Sequence, residues 1–224
     1  MMIGHYAVAL AAKPAAPKVS LGWLAAAAIF LDLIWPLLLQ AGLEQVAVVP
    51  GITVVTPMDF ISYPWSHSLT MSLVWGAAFG GLYYLLAKDR RGGVMLALLV
   101  VSHWLLDFVT HRPDMPLAPG ESTKLGLGLW NSLAGTLAVE LGLFALGIFL
   151  YVRATRARDG IGHWGLIGVI IFLLLIYTSV IFGPPPPTDT TAIVIADVAQ
   201  ILFLLVMGWV DRHRDRTSTE GELS

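Results

Sequence analysis

Residues 93–111, GVMLALLVVSHWLLDFVTH, decide the fold. The run is apolar and close to the ~20 residues that a membrane-spanning helix needs. Its second half carries His103, Asp107 and His111 at i, i+4 and i+8. On a helix turning 100° per residue these side chains fall within an arc of about 80°, each about 6 Å above the last. Ionisable groups inside a span are costly and mark function. The stretch therefore predicts a membrane helix that forms one wall of a metal site, with hydrolysis as the first expectation.

Composition points the same way. The chain has 224 residues, 57% hydrophobic and 12% charged, against about 25% charged in soluble domains. Its mean hydropathy is +0.76. The absence of cysteine excludes disulfides, thiolate zinc sites and thiol nucleophiles, so a transition-metal site must use His, Asp and Glu. The net charge of −2 gives no sign of a nucleic-acid partner.

Outward from 93–111 the pattern predicts an all-α polytopic bundle of about six spans, near 20–41, 66–87, 93–111, 125–152, 161–182 and 191–210. A short N-terminal helix over Ile3 to Ala12 is too brief to cross and lies at the interface or dips into the bundle. No basic segment precedes it, so no cleaved signal peptide is expected. Trp35-Pro36 predicts a kink in the second half of span 1, and the segment 42–65 reads as a long loop. Gly76-x-x-x-Gly80 predicts close helix packing. Asp197 and Gln200 read as interhelical hydrogen-bonding residues. Residues 1–210 form one transmembrane domain, with the metal-site half in about 1–150, and 211–224 read as a disordered cytoplasmic tail. With six spans and both ends inside, 11 of the 13 Lys and Arg lie on the cytoplasmic side, and only Arg112 and Lys124 lie outside.

That topology sets depth. His67 and His111 sit at the outer ends of spans 2 and 3, while His103 lies about 12 Å deeper than His111. Asp32 reaches a similar depth from span 1, and these groups converge on a cavity open outward. His103 and Asp107 share one face and form the better metal pair. His111 is two turns from His103, so it serves a second ion or the mouth of the site. His5 is a further candidate ligand. Glu140 or Asp32 is the candidate general base, and Arg112 is placed to orient a phosphate. The expected cofactor is one or two divalent ions, zinc first. Two rivals use the same residues: a cation or proton-coupled transporter, and a non-catalytic membrane assembly protein whose polar groups only join helices.

The motifs Gly4-His5, Asp32-Leu33-Ile34-Trp35-Pro36, Trp65-Ser66-His67-Ser68 and His103-x-x-x-Asp107-x-x-x-His111, with Glu140 downstream, resemble the YdjM-like family of inner-membrane metal-dependent hydrolases. That family is itself distantly similar to zinc-dependent phospholipase C and single-strand nucleases. The resemblance covers about residues 1–150. It implies a bacterial inner-membrane protein acting on an ester or phosphodiester, with membrane lipids as partners and a small-molecule or lipid substrate. Two departures stand out: Gly4 precedes His5 where a Thr is common, and the acidic pair common near the end of span 1 is reduced to Asp32.

Overall fold

A computed structural model describes residues 1–120, 123–185 and 190–217, with the side chains of 190–197 left aside. The chain runs through α1 (Ile3–Ala11), α2 (Leu21–Ala28), α3 (Phe30–Gln40), the strands β1 (Gln45–Val48) and β2 (Met58–Ser62), α4 (Pro64–His67), α5 (Leu69–Ala87) and α6 (Arg90–Thr110). There follow β3 (Met115–Pro116), β4 (Lys124–Leu125), a 3-10 turn (Leu129–Asn131), α7 (Leu133–Ala154), β5 (Thr155–Ala157), α8 (Gly160–Phe182), α9 (Thr190–Arg212) and β6 (Arg214–Arg216). The architecture is a helical bundle carrying three two-stranded antiparallel ribbons, β1–β2, β3–β4 and β5–β6.

Among the described residues, α5, α6, α7 and α8 are each long and apolar enough to cross a membrane. The pair α2 and α3 makes a fifth span if its 52° bend lies within one crossing. The remaining expected span corresponds to α9, a helix of 23 residues.

α1 takes the inner of its two expected positions. It has no charged residue and no polar face, and Ile3, His5, Ala9 and Leu10 are buried. It lies against α7, where Gly147 admits its backbone: a Cβ there would come within 3.0 Å of Ala7 Cα. Lys13, just past its end, is also buried and donates to Asp211 Oδ2 (2.6 Å) and Val19 O (2.9 Å). Asp211 further accepts from Leu21 N and Tyr151 Oη, so α1, α2, α7 and α9 meet on one carboxylate.

The bend in span 1 lies at Ile29 rather than at the expected Trp35-Pro36. Pro36 removes only its own bond to the Asp32 carbonyl and remains inside α3. At the bend, the Ala28 carbonyl leaves the helical ladder and accepts from His103 Nδ1 at 2.8 Å. A side chain entering the ladder is a recognised cause of a kink.

α5 and α6 form a tight antiparallel pair. A Cβ on Gly76 would lie 2.8 Å from Ala97 O, and one on Gly93 would lie 2.7 Å from Gly80 O. The small-residue spacing therefore lets two backbones touch. Lys88 takes the left-handed conformation (φ 53°) that ends α5, and Asp89 caps α6 by accepting from Gly92 N.

Two loop expectations are corrected. Residues 42–65 hold the β1–β2 hairpin, whose connecting segment is tied down by Val55 N donating to Trp130 O at 3.1 Å. The tail is ordered through Arg216, because β6 pairs with β5 and Arg214 donates to Thr155 Oγ1 and Gly162 O. Asp197, part of the polyproline turn and residues 218–224 lie outside what is described.

Candidate metal centre

The site gathers at one end of the bundle, opposite the α5–α6 turn. α6 brings His103 and Asp107, α4 ends on His67, the first turn of α3 holds Asp32, and α1 holds His5. His111 is the residue on which α6 stops, and its backbone is already extended. Asp107 is the centre. Its Oδ2 lies 3.1 Å from His103 Nε2, 3.9 Å from His67 Nε2 and 4.0 Å from His111 Nε2. Its Oδ1 lies 3.1 Å from His5 Nε2 and is bonded to the Met1 amino nitrogen. Asp32 Oδ1 lies 3.4 Å from His67 Nε2 and 3.6 Å from His103 Nε2. The Asp32 side chain is 39% exposed and every other member is buried.

Hydrogen bonds fix the tautomer of three imidazoles. His103 Nδ1 faces the Ala28 carbonyl, which can only accept, so Nδ1 carries a proton, and in the neutral ring the Nε2 lone pair points inward. Nε2 is buried and makes no hydrogen bond of acceptable geometry. His67 Nδ1 lies 2.6 Å from Ser66 Oγ, and that hydroxyl donates to Glu44 Oε2 at 2.7 Å. The hydroxyl proton being committed, Ser66 Oγ accepts from His67, which again leaves Nε2 bare. His111 Nδ1 donates to Asp114 Oδ1 at 3.0 Å. Burial disfavours the charge on Asp114, but bonds from His111, Tyr63 and Arg112 outweigh it and hold its carboxyl below the usual range. Burial and the nearby Asp114 raise the Tyr63 phenol well above its ordinary value, so Tyr63 remains a donor.

Three imidazole lone pairs thus face carboxylate oxygens. With neutral rings this is lone pair against lone pair, which is relieved either by a second proton on an imidazole, giving an ion pair with Asp107, or by a metal cation. With one, it is a ligand set whose outer nitrogens are held by backbone, hydroxyl and carboxylate partners. Ligand atoms 2.0–2.1 Å from a tetrahedral ion stand about 3.4 Å apart. The separations of 3.1 to 4.0 Å bracket that value. Two overlapping groups satisfy the proximity needed for a metal: His5, His103 and Asp107, and Asp32, His67 and His103. His103 belongs to both, and its single lone pair serves one ion.

Glu140 is buried, but its Oε2 accepts from Met2 N (2.9 Å) and Gly4 N (3.2 Å), so it caps α1 from across the bundle. Arg112 is bonded to Asp59 and to Asp114 (3.1 Å to Oδ2), tying the β1–β2 hairpin to the end of α6. Glu44, Ser66 as a relay, Tyr63 and Asp114 emerge only in three dimensions. The spacing of Asp114, three residues past His111, was the one available signal. The i, i+8 separation of His103 and His111 does not keep them apart, because the carboxylate lies midway and the helix stops at Thr110. Gly128, in the left-handed conformation (φ 72°), donates its N–H to the His111 carbonyl at 2.7 Å and holds that turn.

A cavity of about 520 Å³ adjoins the cluster. Asp32, His67, Asp107, His111 and Glu140 line its polar part, and residues of α8 and α9 line the rest. No protein-family model, curated protein or solved structure matches the chain.

Proposed function

We propose that the chain is a membrane-embedded, metal-dependent hydrolase of an ester or phosphodiester. The observation that carries this reading is the set of three histidines, His67, His103 and His111, whose Nδ1 protons are all committed away from the centre while their Nε2 atoms converge on Asp107. Nitrogen and oxygen donors without thiolate suit zinc first. A divalent ion held there lowers the pKa of water toward neutrality and polarises an ester oxygen.

The chain's own residues supply the rest. Asp107, His103 and His67 would hold the ion, with His111 or His5 completing the set. Asp32 is the most open carboxylate of the group and takes the proton from the attacking water. The water oxygen bonds to phosphorus or to the carbonyl carbon, the bond to the leaving oxygen breaks, and the proton passes to that oxygen. Glu140 positions α1 and hence His5. Arg112 keeps the hairpin over the site.

The resemblance to YdjM-like hydrolases supports the same chemistry. The Lys and Arg distribution supports six spans, both ends cytoplasmic and a site opening outward in a bacterial inner membrane. A conduit for ions is less well served. Below the cluster the core is built from Leu24, Ala25, Leu96, Leu99, Val100 and Phe144, and the deeper Lys13–Asp211 pair is closed on itself.

The test is elemental analysis of purified protein, wild type against His103→Ala and Asp107→Ala. One or two zinc ions per chain are expected in the wild type and at most a tenth of that in the variants. Metal-free wild type, or variants that retain their metal, would overturn the proposal.

A further inference from the structure

The charges around the cavity separate the two substrate classes left open above. Its acidic lining is Asp32, Asp107 and Glu140, and among the described residues no lysine or arginine lines it. Arg112, expected at a phosphate, is spent on Asp59 and, through Nε at 3.1 Å, on Asp114 Oδ2. The Met1 amino group is bonded to Asp107 and, at 3.2 Å, to Thr110 Oγ1. Three carboxylates and one ammonium sum to a charge of −2, which a single divalent ion cancels. A single ion is what the ligands provide for, because His103 belongs to both candidate groups. Nor does the cluster offer an anion an N–H. The Nδ1 protons of His67, His103 and His111 point away from the centre, to Ser66, Ala28 and Asp114. Other polar side chains on the wall, Thr56 and Gln200 among them, are uncharged, and much of the rest is apolar, with Ile29, Val55, Phe60 and Leu173. A phosphodiester would therefore bring a full negative charge into a neutral, largely apolar cavity beside three carboxylates, with no guanidinium or ammonium free to receive it. A carboxylic ester brings no charge.

We infer that the substrate is an uncharged carboxylic ester and that the acidic lining of the cavity excludes anionic phosphodiesters. This deepens the hydrolase reading and rests on it. The water oxygen bonds to the carbonyl carbon, the bond from that carbon to the alkoxy oxygen breaks, and Asp32 passes the proton of the water to the alkoxide. The acid product then ionises, releasing one proton. The same carboxylates that tolerate the neutral ester repel the new anion, so the charge pattern that selects the substrate also expels the product.

The experiment uses the full chain in phosphatidylcholine nanodiscs, with zinc counted on every sample. Calorimetry compares two unreactive probes of one shape, the anion diphenyl phosphate and the uncharged dibenzyl ketone. Turnover is followed with para-nitrophenyl butyrate and bis(para-nitrophenyl) phosphate. The wild type should hold one zinc per chain, bind the ketone about tenfold or more tighter than the anion, and cleave only the butyrate in a chelator-sensitive way. Met58, half-buried on β2, lines the cavity, so Met58→Lys places an ammonium on its wall. That variant should gain about tenfold in affinity for diphenyl phosphate, as one charge-assisted hydrogen bond implies, while its affinity for the ketone stays within about twofold. Diphenyl phosphate bound as tightly as the ketone, zinc-dependent cleavage of the phosphodiester, or two zinc ions per chain overturns the uncharged substrate and leaves the hydrolase reading standing. An anion affinity that does not respond to Met58→Lys, with zinc retained, does the same. A wild type without zinc, or with zinc but no turnover of either ester, overturns the hydrolase reading instead.

Discussion

Replacing Glu44 with Gln should weaken metal binding without touching a ligand. The Glu44 carboxylate accepts from Trp65 N and Ser66 N through Oε1, both at 2.8 Å, and from the Ser66 hydroxyl through Oε2 at 2.7 Å. In Glu44→Gln the amide oxygen keeps both backbone bonds, so α4 stays in place. The amide nitrogen now stands where Oε2 was and donates to Ser66 Oγ. The hydroxyl proton must turn toward His67 Nδ1, which then has to accept, and the imidazole proton moves to Nε2. That nitrogen, 3.4 Å from Asp32 Oδ1, becomes an N–H donor and stops being a ligand. Loss of such an outer partner costs about 10–100-fold in metal affinity, or about 1.4–2.7 kcal/mol at 1.36 kcal/mol per tenfold. Competition for zinc against a chromogenic chelator, on detergent-solubilised protein, measures it. Ser66→Ala removes the same relay while sparing the bonds from Glu44 to Trp65 N and Ser66 N, and should fall by a comparable factor. If both variants bind zinc within twofold of wild type, the tautomer argument is wrong.

Other perturbations test the frame. Lys13→Met strips the buried Asp211 of its cation and leaves only neutral donors, and should lower unfolding stability by about 3–5 kcal/mol in a denaturant series. Gly80→Val drives a side chain into α6, where even a Cβ would lie 2.9 Å from the Ala97 Cβ. Overpacking of about 1–3 kcal/mol should appear as a lower melting temperature. Asp159 caps α8, and its hydrogen bond from His213 holds its carboxyl below the ordinary value. Because the folded value is depressed, that contribution is present above the unfolded carboxyl pKa and fades as pH falls through the folded one. Asp159→Asn should therefore lower the melting temperature at neutral pH and converge on wild type in acid.

Much of this molecule is written in one dimension. Apolar runs of spanning length place α5, α6, α7 and α8, since in a bilayer a helix is the way a single segment satisfies its own backbone. The i, i+4 spacing of His103 and Asp107 fixes their common face for the same reason. Gly76-x-x-x-Gly80 announces the tight pair it forms, because absence of a side chain is visible in sequence.

Other features have no local signal. The bend at Ile29 depends on a histidine in a helix distant along the chain taking the Ala28 carbonyl, while Pro36, the local cue, bends little. The hairpin at 42–65 and the ordering of Arg214–Arg216 depend on partners that come close only after folding. Above all, His103, Asp107 and His111 name the atoms of a site. Which imidazole nitrogen is bare was decided by Ala28, Ser66, Glu44 and Asp114, residues that reach the centre from separate segments. A ligand's identity is a property of its side chain, but its lone pair is set by what its other nitrogen touches.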